Sequence, residues 1–172
     1  GVQTCALPIS EHLRVPAEVV IDWLSSAPLT EAATIEERLQ TLRAMARVLD
    51  KQEHLTAIYI GYDNGDFFLV RGLRNDADRE LFKAPPGARY LMQHIELTDK
   101  KGAGGVRFVM FDGELKQLTS TSPPDFKFDA RTRPWYIDAL KSSDIIHTAP
   151  YVFFTTGKVG VTIARRAANE RA

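Results

Sequence analysis

Residues 128–136 read Phe-Asp-Ala-Arg-Thr-Arg-Pro-Trp-Tyr, and Tyr151 follows fifteen residues later in Ala-Pro-Tyr-Val-Phe. Two arginines, Arg131 and Arg133, thus stand among Phe128, Trp135, Tyr136 and Tyr151. A guanidinium donates two parallel hydrogen bonds from a rigid fork, so an arginine beside aromatic faces suits a planar anion such as a carboxylate. The same residues also permit plain packing, with an arginine stacked on Trp135 and paired to Asp129 or Asp138. Local signals place the segment where a loop enters a short helix. Asp129 can accept hydrogen bonds as an N-cap, and Pro134 fits a first helical turn, where its missing N–H costs nothing. Residues 135–142 then read as helix. Arg133 is the expected anion anchor, and Arg131 is expected to be structural, held by Asp129, Asp138 or loop carbonyls.

No catalytic, metal or cofactor signature competes with this cluster. His12, His54, His94 and His147 are scattered without metal-ligand spacing, and are expected at the surface or at edges. Asp63–Asp66 begins like a calcium loop, but the twelfth position is Arg74, where a bidentate Glu is required. Nucleophile elbows, phosphate loops and paired carboxylates are not visible. Gly102, Gly104 and Gly105 are flanked by strands on both sides, which reads as a turn rather than a phosphate cradle. Basic residues do not cluster with aromatics as nucleic-acid binding requires. Lys+Arg and Asp+Glu balance at 22 each, so no net field attracts nucleic acid or an anionic membrane.

The elements that must position the cluster come from periodicity. Val15, Val19, Val20, Trp23 and Leu24 suit one apolar helix stripe. Thr34 and Glu37 have capping-box spacing, followed by Leu39, Leu42, Met45, Ala46 and Leu49 on one face. This predicts a helix over 34–53 whose polar face, Arg38, Arg43, Arg47 and Lys51, is solvated. From residue 56 the pattern turns strand-like: 57–62 and 67–71 flank an Asn64-Gly65 turn, a strong hairpin signal. A helical turn is expected near 78–82, then strands at 89–97, 106–111 and 115–119. A closing hairpin, 151–154 with 159–164, surrounds 155–158. Helices segregated to one side of antiparallel strands make an α+β fold.

The cluster resembles the signature of Cache sensor domains, and more specifically the membrane-distal half of a double Cache domain. The resemblance rests on Asp129, Arg131, Arg133, Pro134, Trp135 and Tyr136, then Pro150-Tyr151-Val152, then Thr156-Gly157-Lys158 before an apolar strand. It covers roughly 126–166; residues 10–125 are similar in the order of elements and in the hairpin around Asn64-Gly65. It implies a PAS-like antiparallel sheet with a long N-terminal helix packed behind it, and an extracytoplasmic (periplasmic) module of an inner-membrane, chemoreceptor-like receptor. The implied partner is a small organic ligand, an amino acid or another carboxylate. No nucleic acid and no cofactor are implied, and the membrane is reached through flanking helices outside this chain. The implied ligand residues are Arg133, Trp135, Tyr136, Tyr151, Phe128 and Phe153. Position 128 is Phe where the amino-acid-binding pattern has Tyr, which removes one hydroxyl. The Asp that would hold an ammonium falls beyond residue 172. The helix-plus-hairpin opening is similar to sensors fused to nucleotide cyclases or HD-type cyclic-nucleotide phosphodiesterases.

Residues 1–9, including Cys5, read as a translated sequencing adapter, and the chain as a fragment cut at both ends. The expected division is 1–9 leader, 10–55 helical segment and 56–172 sensor domain. At 44% hydrophobic residues one globular core is expected, and no apolar run reaches the ~18 residues that a spanning helix needs. A contrasting expectation is a structural or homodimerising module whose pocket is plugged by Phe126, Phe128 and Phe153. Without a further strand, 159–166 is expected to leave an open edge.

Overall fold

The computed structural model describes residues 2–7, 14–97 and 105–167. Gly102, Gly104 and His12 lie outside these. The fold is α+β, a PAS-like antiparallel sheet with the N-terminal helices packed behind it. In chain order come strand β1 (Val2–Leu7), helices α1 (Arg14–Ser25), α2 (Ile35–Leu39) and α3 (Leu42–Lys51), and strands β2 (Ala57–Gly61) and β3 (Phe67–Gly72). Helix α4 (Asp76–Leu81) precedes β4 (Tyr90–Ile95), β5 (Val106–Phe111) and β6 (Gln117–Thr121). Helix α5 (Pro134–Leu140) and strands β7 (Ile146–His147), β8 (Tyr151–Val152) and β9 (Val159–Arg166) complete it. The strand order is β6-β5-β4-β3-β2-β1-β9-β7, and β8 pairs with the start of β9.

Strand alternation gives the sheet two differently used faces. Ile58, Ile60, Phe68, Val70, Met92 and Val109 point to one face and pack with Ile21, Leu24, Met45 and Leu49 of α1 and α3. Ala57, Tyr59, Phe67 and Leu69 point to the other and pack with Trp135, Tyr136 and Ala139 of α5. Fully burying each large apolar side chain contributes roughly 1.5–3 kcal/mol, so both faces of the sheet add to stability. At the hairpin turn Gly65 takes φ 90°, and Asn64 Oδ1 accepts from the Asp66 amide at 2.9 Å, as the Asn-Gly signal requires.

Several expectations need correction. The capping box at Thr34 and Glu37 is present, but the helix tightens at Gln40 and Thr41, whose amides bond back three residues to Glu37 and Arg38. The first turn is thereby rotated relative to α3. Leu39 is turned outward, and Arg38, expected in solvent, is 1% exposed. Its Nη2 meets Asp66 Oδ2 at 2.7 Å, its Nη1 donates to His94 Nε2 at 2.8 Å, and its guanidinium lies 4.3 Å from the Tyr62 ring centroid. His94 is therefore a core residue on a central strand, not a surface one; His147 is exposed and pairs with Glu18 at 2.9 Å. On α1 the buried stripe is Ala17, Val20, Ile21 and Leu24, whereas Val15, Val19 and Trp23 are exposed. The sequence there has apolar residues on two faces, and packing selects one.

The expected open edge of β9 is also corrected. Residues 2–7, expected as part of a leader, lie between β2 and β9, with Thr4 opposite both Tyr59 and Ala164. An extended segment of almost any sequence can satisfy a row of unpaired backbone groups, so side-chain pattern alone does not reveal this pairing.

Candidate functional site

The face opposite the long helices carries a cleft between the β2–β3 hairpin, the 128–135 segment and the β8–β9 turn. Thr56, Ala57, Tyr59, Phe67, Leu69 and Arg71 form its sheet wall; Phe128, Arg133, Trp135, Tyr151, Phe153, Phe154 and Thr155 close it from above. The cavity measures about 40 Å³, room for a few waters at ~10–15 Å³ each.

The sequence positions the upper wall by the signals read above. Asp129 Oδ1 accepts from the Arg131 amide at 3.0 Å, opening a 3-10 turn at Ala130–Thr132. Arg133 then takes extended backbone, φ −86° and ψ 146°, and Pro134 begins α5. That extended residue redirects the chain, so Arg133 and Trp135 both reach the cleft although they are two apart. Trp135 is 2% exposed and meets Tyr59 edge-on at 5.2 Å between centroids. Gly61 makes this approach possible: a Cβ there would lie 2.9 Å from both Trp135 Cη2 and Ala130 Cβ.

The two arginines of the motif have different surroundings. Arg131 donates from Nε and Nη2 to Asp129 at 2.8–3.2 Å and reaches the Asp63 carbonyl of the hairpin turn at 3.4 Å. This pair holds the Asp129 carboxyl below its usual range, the arginine hydrogen bonds being the main cause. Arg133 is half-buried, its guanidinium 5.6 Å from the Phe154 ring centroid, with no ion pair or hydrogen bond to its guanidinium among the described residues. Its fork is therefore available to an anion.

Tyr151 Oη lies 2.7 Å from Thr162 Oγ1, which in turn lies 2.8 Å from Tyr59 Oη. Three hydroxyls thus form one hydrogen-bonded cluster beneath the cleft. Burial pushes the Tyr151 phenol upward, so it stays neutral at neutral pH. Phe128 packs on Phe67 at 4.8 Å and on Phe154 at 5.3 Å, an apolar wall where a tyrosine would bring a hydroxyl. Phe153 lies edge-on to Tyr151 at 5.1 Å and covers Gly160.

Five of the six expected site residues, Phe128, Arg133, Trp135, Tyr151 and Phe153, line the cleft; Tyr136 does not. Tyr136 is 4% exposed and packs behind Trp135, 5.6 Å between centroids, as a support for α5. Phe126 likewise stays outside, edge-on to Phe108 and stacked on Phe128. Sequence reasoning missed Tyr59, Arg71 and Phe154. The period-2 rule could have found the first two, because they share a face with Phe67 and Leu69. Among the described residues no group of His, Cys, Asp and Glu could hold a metal ion.

With this geometry in place, similarity to known proteins adds one relation. The chain is 32% identical over 130 residues to adenylate cyclase 1 of Rhizobium meliloti (strain 1021). The match covers 75% of this chain and 19% of that protein, so the similarity concerns about one fifth of the cyclase's length. No family model matches the sequence, and no solved structure matches it significantly. No helix among the described residues is long and apolar enough to cross a membrane.

Proposed function

We propose that this chain is a sensing module of the Cache type, the extracytoplasmic input of a membrane-bound signal-transduction receptor whose catalytic output lies outside it. The observation that carries this reading is Arg133: a half-buried guanidinium over an aromatic wall, without an internal acid, in a cleft with tyrosine hydroxyls at its base. A charge withdrawn from water without a partner is costly, and a ligand carboxylate supplies that partner. The similarity to part of an adenylate cyclase supports a nucleotide cyclase as the output over the phosphodiesterase alternative. The module itself performs no catalysis; it binds a small carboxylate and passes the change to neighbouring helices.

The test is a thermal-shift screen of small carboxylates on the protein and on Arg133→Ala. Carboxylates that raise the melting temperature of the protein should leave the variant unmoved. Equal stabilisation of both removes Arg133 from the site.

A second reading is favoured by the size of the cavity. About 40 Å³ is small, because Phe128, Phe153 and Phe154 occupy the space above the sheet. On this reading the aromatic plug is permanent, and the domain is a structural or dimerising part of the receptor. A screen with no stabilising carboxylate supports it.

A further inference from the structure

We infer that Arg71 is a second anion anchor of this cleft, so that the ligand is a dicarboxylate whose two carboxylates are shared between Arg133 and Arg71. This rests on the sensing reading given above and specifies its ligand. Arg71 stands on β3 opposite Ala57, on the same face as Phe67 and Leu69, and lines the cavity. It is 8% exposed, and its Nε has no hydrogen-bond partner.

An acid acts on Arg71 from nearby without binding it. The Asp78 carboxylate is engaged elsewhere: Oδ1 by Lys158 Nζ at 2.5 Å, and Oδ2 by Asn75 Nδ2 at 2.7 Å. What Arg71 does touch is the Phe82 ring, 5.5 Å from its guanidinium carbon. The cleft thus has two guanidiniums in its lining and no carboxylate. A zwitterionic amino acid would bring an ammonium group towards one of them; a dianion satisfies both. A further orphan donor stands on the same face. Gln93 Nε2, on β4 opposite Leu69, is buried without a partner. Gln93 lies outside the cavity lining, so the orphan donor that faces the cleft is that of Arg71, costly unless an acceptor arrives.

The spacing sets the ligand's shape. Arg133 lies over Phe154, which packs on Phe128 and through it on Phe67, and Arg71 lies four residues beyond Phe67 along β3, roughly 13 Å by strand rise. The ligand-free cleft holds only about 40 Å³, so a short chain of carbons between the carboxylates takes its place over Leu69 and Tyr59 as the covering Phe153 and Phe154 rings move aside.

Titration calorimetry on the protein with malonate, succinate and glutarate, each matched to propionate, butyrate or valerate, tests this. One of the diacids should bind at least tenfold more tightly than its monoacid. Arg71→Met should reduce the diacid to the level of the monoacid and leave monoacid binding unchanged, whereas Arg133→Met should weaken both. Because the substitution removes a buried, unpaired charge, the ligand-free Arg71→Met protein should melt higher than the parent. A preserved diacid preference in Arg71→Met, or a lower melting temperature or failure to fold, makes Arg71 structural and overturns the inference alone. If monoacids bind as well as diacids, the inference again fails while the sensing reading stands. If no carboxylate binds, both fail together.

Discussion

At the scale of single residues, the least accessible chemistry of this protein is the Arg38–Asp66–His94 cluster behind the sheet. Arg38 can only donate, so His94 Nε2 must accept, and its proton sits on Nδ1. Burial, with the charge of Arg38 beside it, lowers the His94 pKa from 6.5 to about 4. The unfolded chain therefore binds a proton that the folded chain refuses between these values. Stability is full above about pH 6.5 and is lost as the pH falls towards 4, by at most on the order of 3 kcal/mol. Urea denaturation across this range should show that slope, and His94→Gln should flatten it. A slope unchanged in His94→Gln would assign the acid sensitivity to carboxylates instead. None of this was legible in the sequence. A histidine in a β-rich run and an arginine in a helix carry no mark of burial; only the register that sets His94 opposite Phe68 brings them together. The motif residues were legible because Asp129, Pro134 and Trp135 each carry a local signal for the turn, the helix start and the aromatic wall.

At the scale of elements, the short helix α5 depends on a gap in β2. Gly61 leaves the space that α5 and the turn before it occupy: an added Cβ would lie 3.2 Å from Tyr136 Cδ2 as well as 2.9 Å from Trp135 Cη2 and Ala130 Cβ. Gly61→Val should push Trp135 and the 128–135 segment outward. It should cost ~1–3 kcal/mol in chemical denaturation, as overpacking does, and raise the dissociation constant of any cleft ligand at least tenfold. An intact affinity would mean that α5 adjusts without moving Arg133. The hairpin and the capping box were readable in advance because Asn64-Gly65 and Thr34–Glu37 act within a few residues. The break at Gln40 and Thr41 was not: no Gly or Pro marks it, and the face of α2 is chosen by the attraction of Arg38 to Asp66 across the core.

At the scale of the whole molecule, the sheet is continuous because β1 joins β2 to β9. Removing residues 1–9 should leave the facing edges of both strands without partners, four residue pairs on the β2 side and six on the β9 side. Exposed edges of that length recruit other chains. Light scattering should therefore show association of the shortened chain at concentrations where the full chain is dispersed; a dispersed shortened chain would mean that β2 and β9 close on each other. The overall α+β plan was legible because it follows from the order of helical and strand periodicities. The position of β1 was not, since backbone pairing leaves no side-chain trace. Strand β9 carries a further consequence. Thr162 sits under the cleft, joined to Tyr59 and Tyr151; Ile163, the next residue, belongs to the helical layer; Arg165 pairs with Asp22 of α1. One peptide unit is the whole thickness of the wall between the two sides. On the sensing function proposed above, a molecule that draws the tyrosines towards itself would pull on the same strand that α1 leans against, and the pull would reach the helix through one peptide unit of backbone.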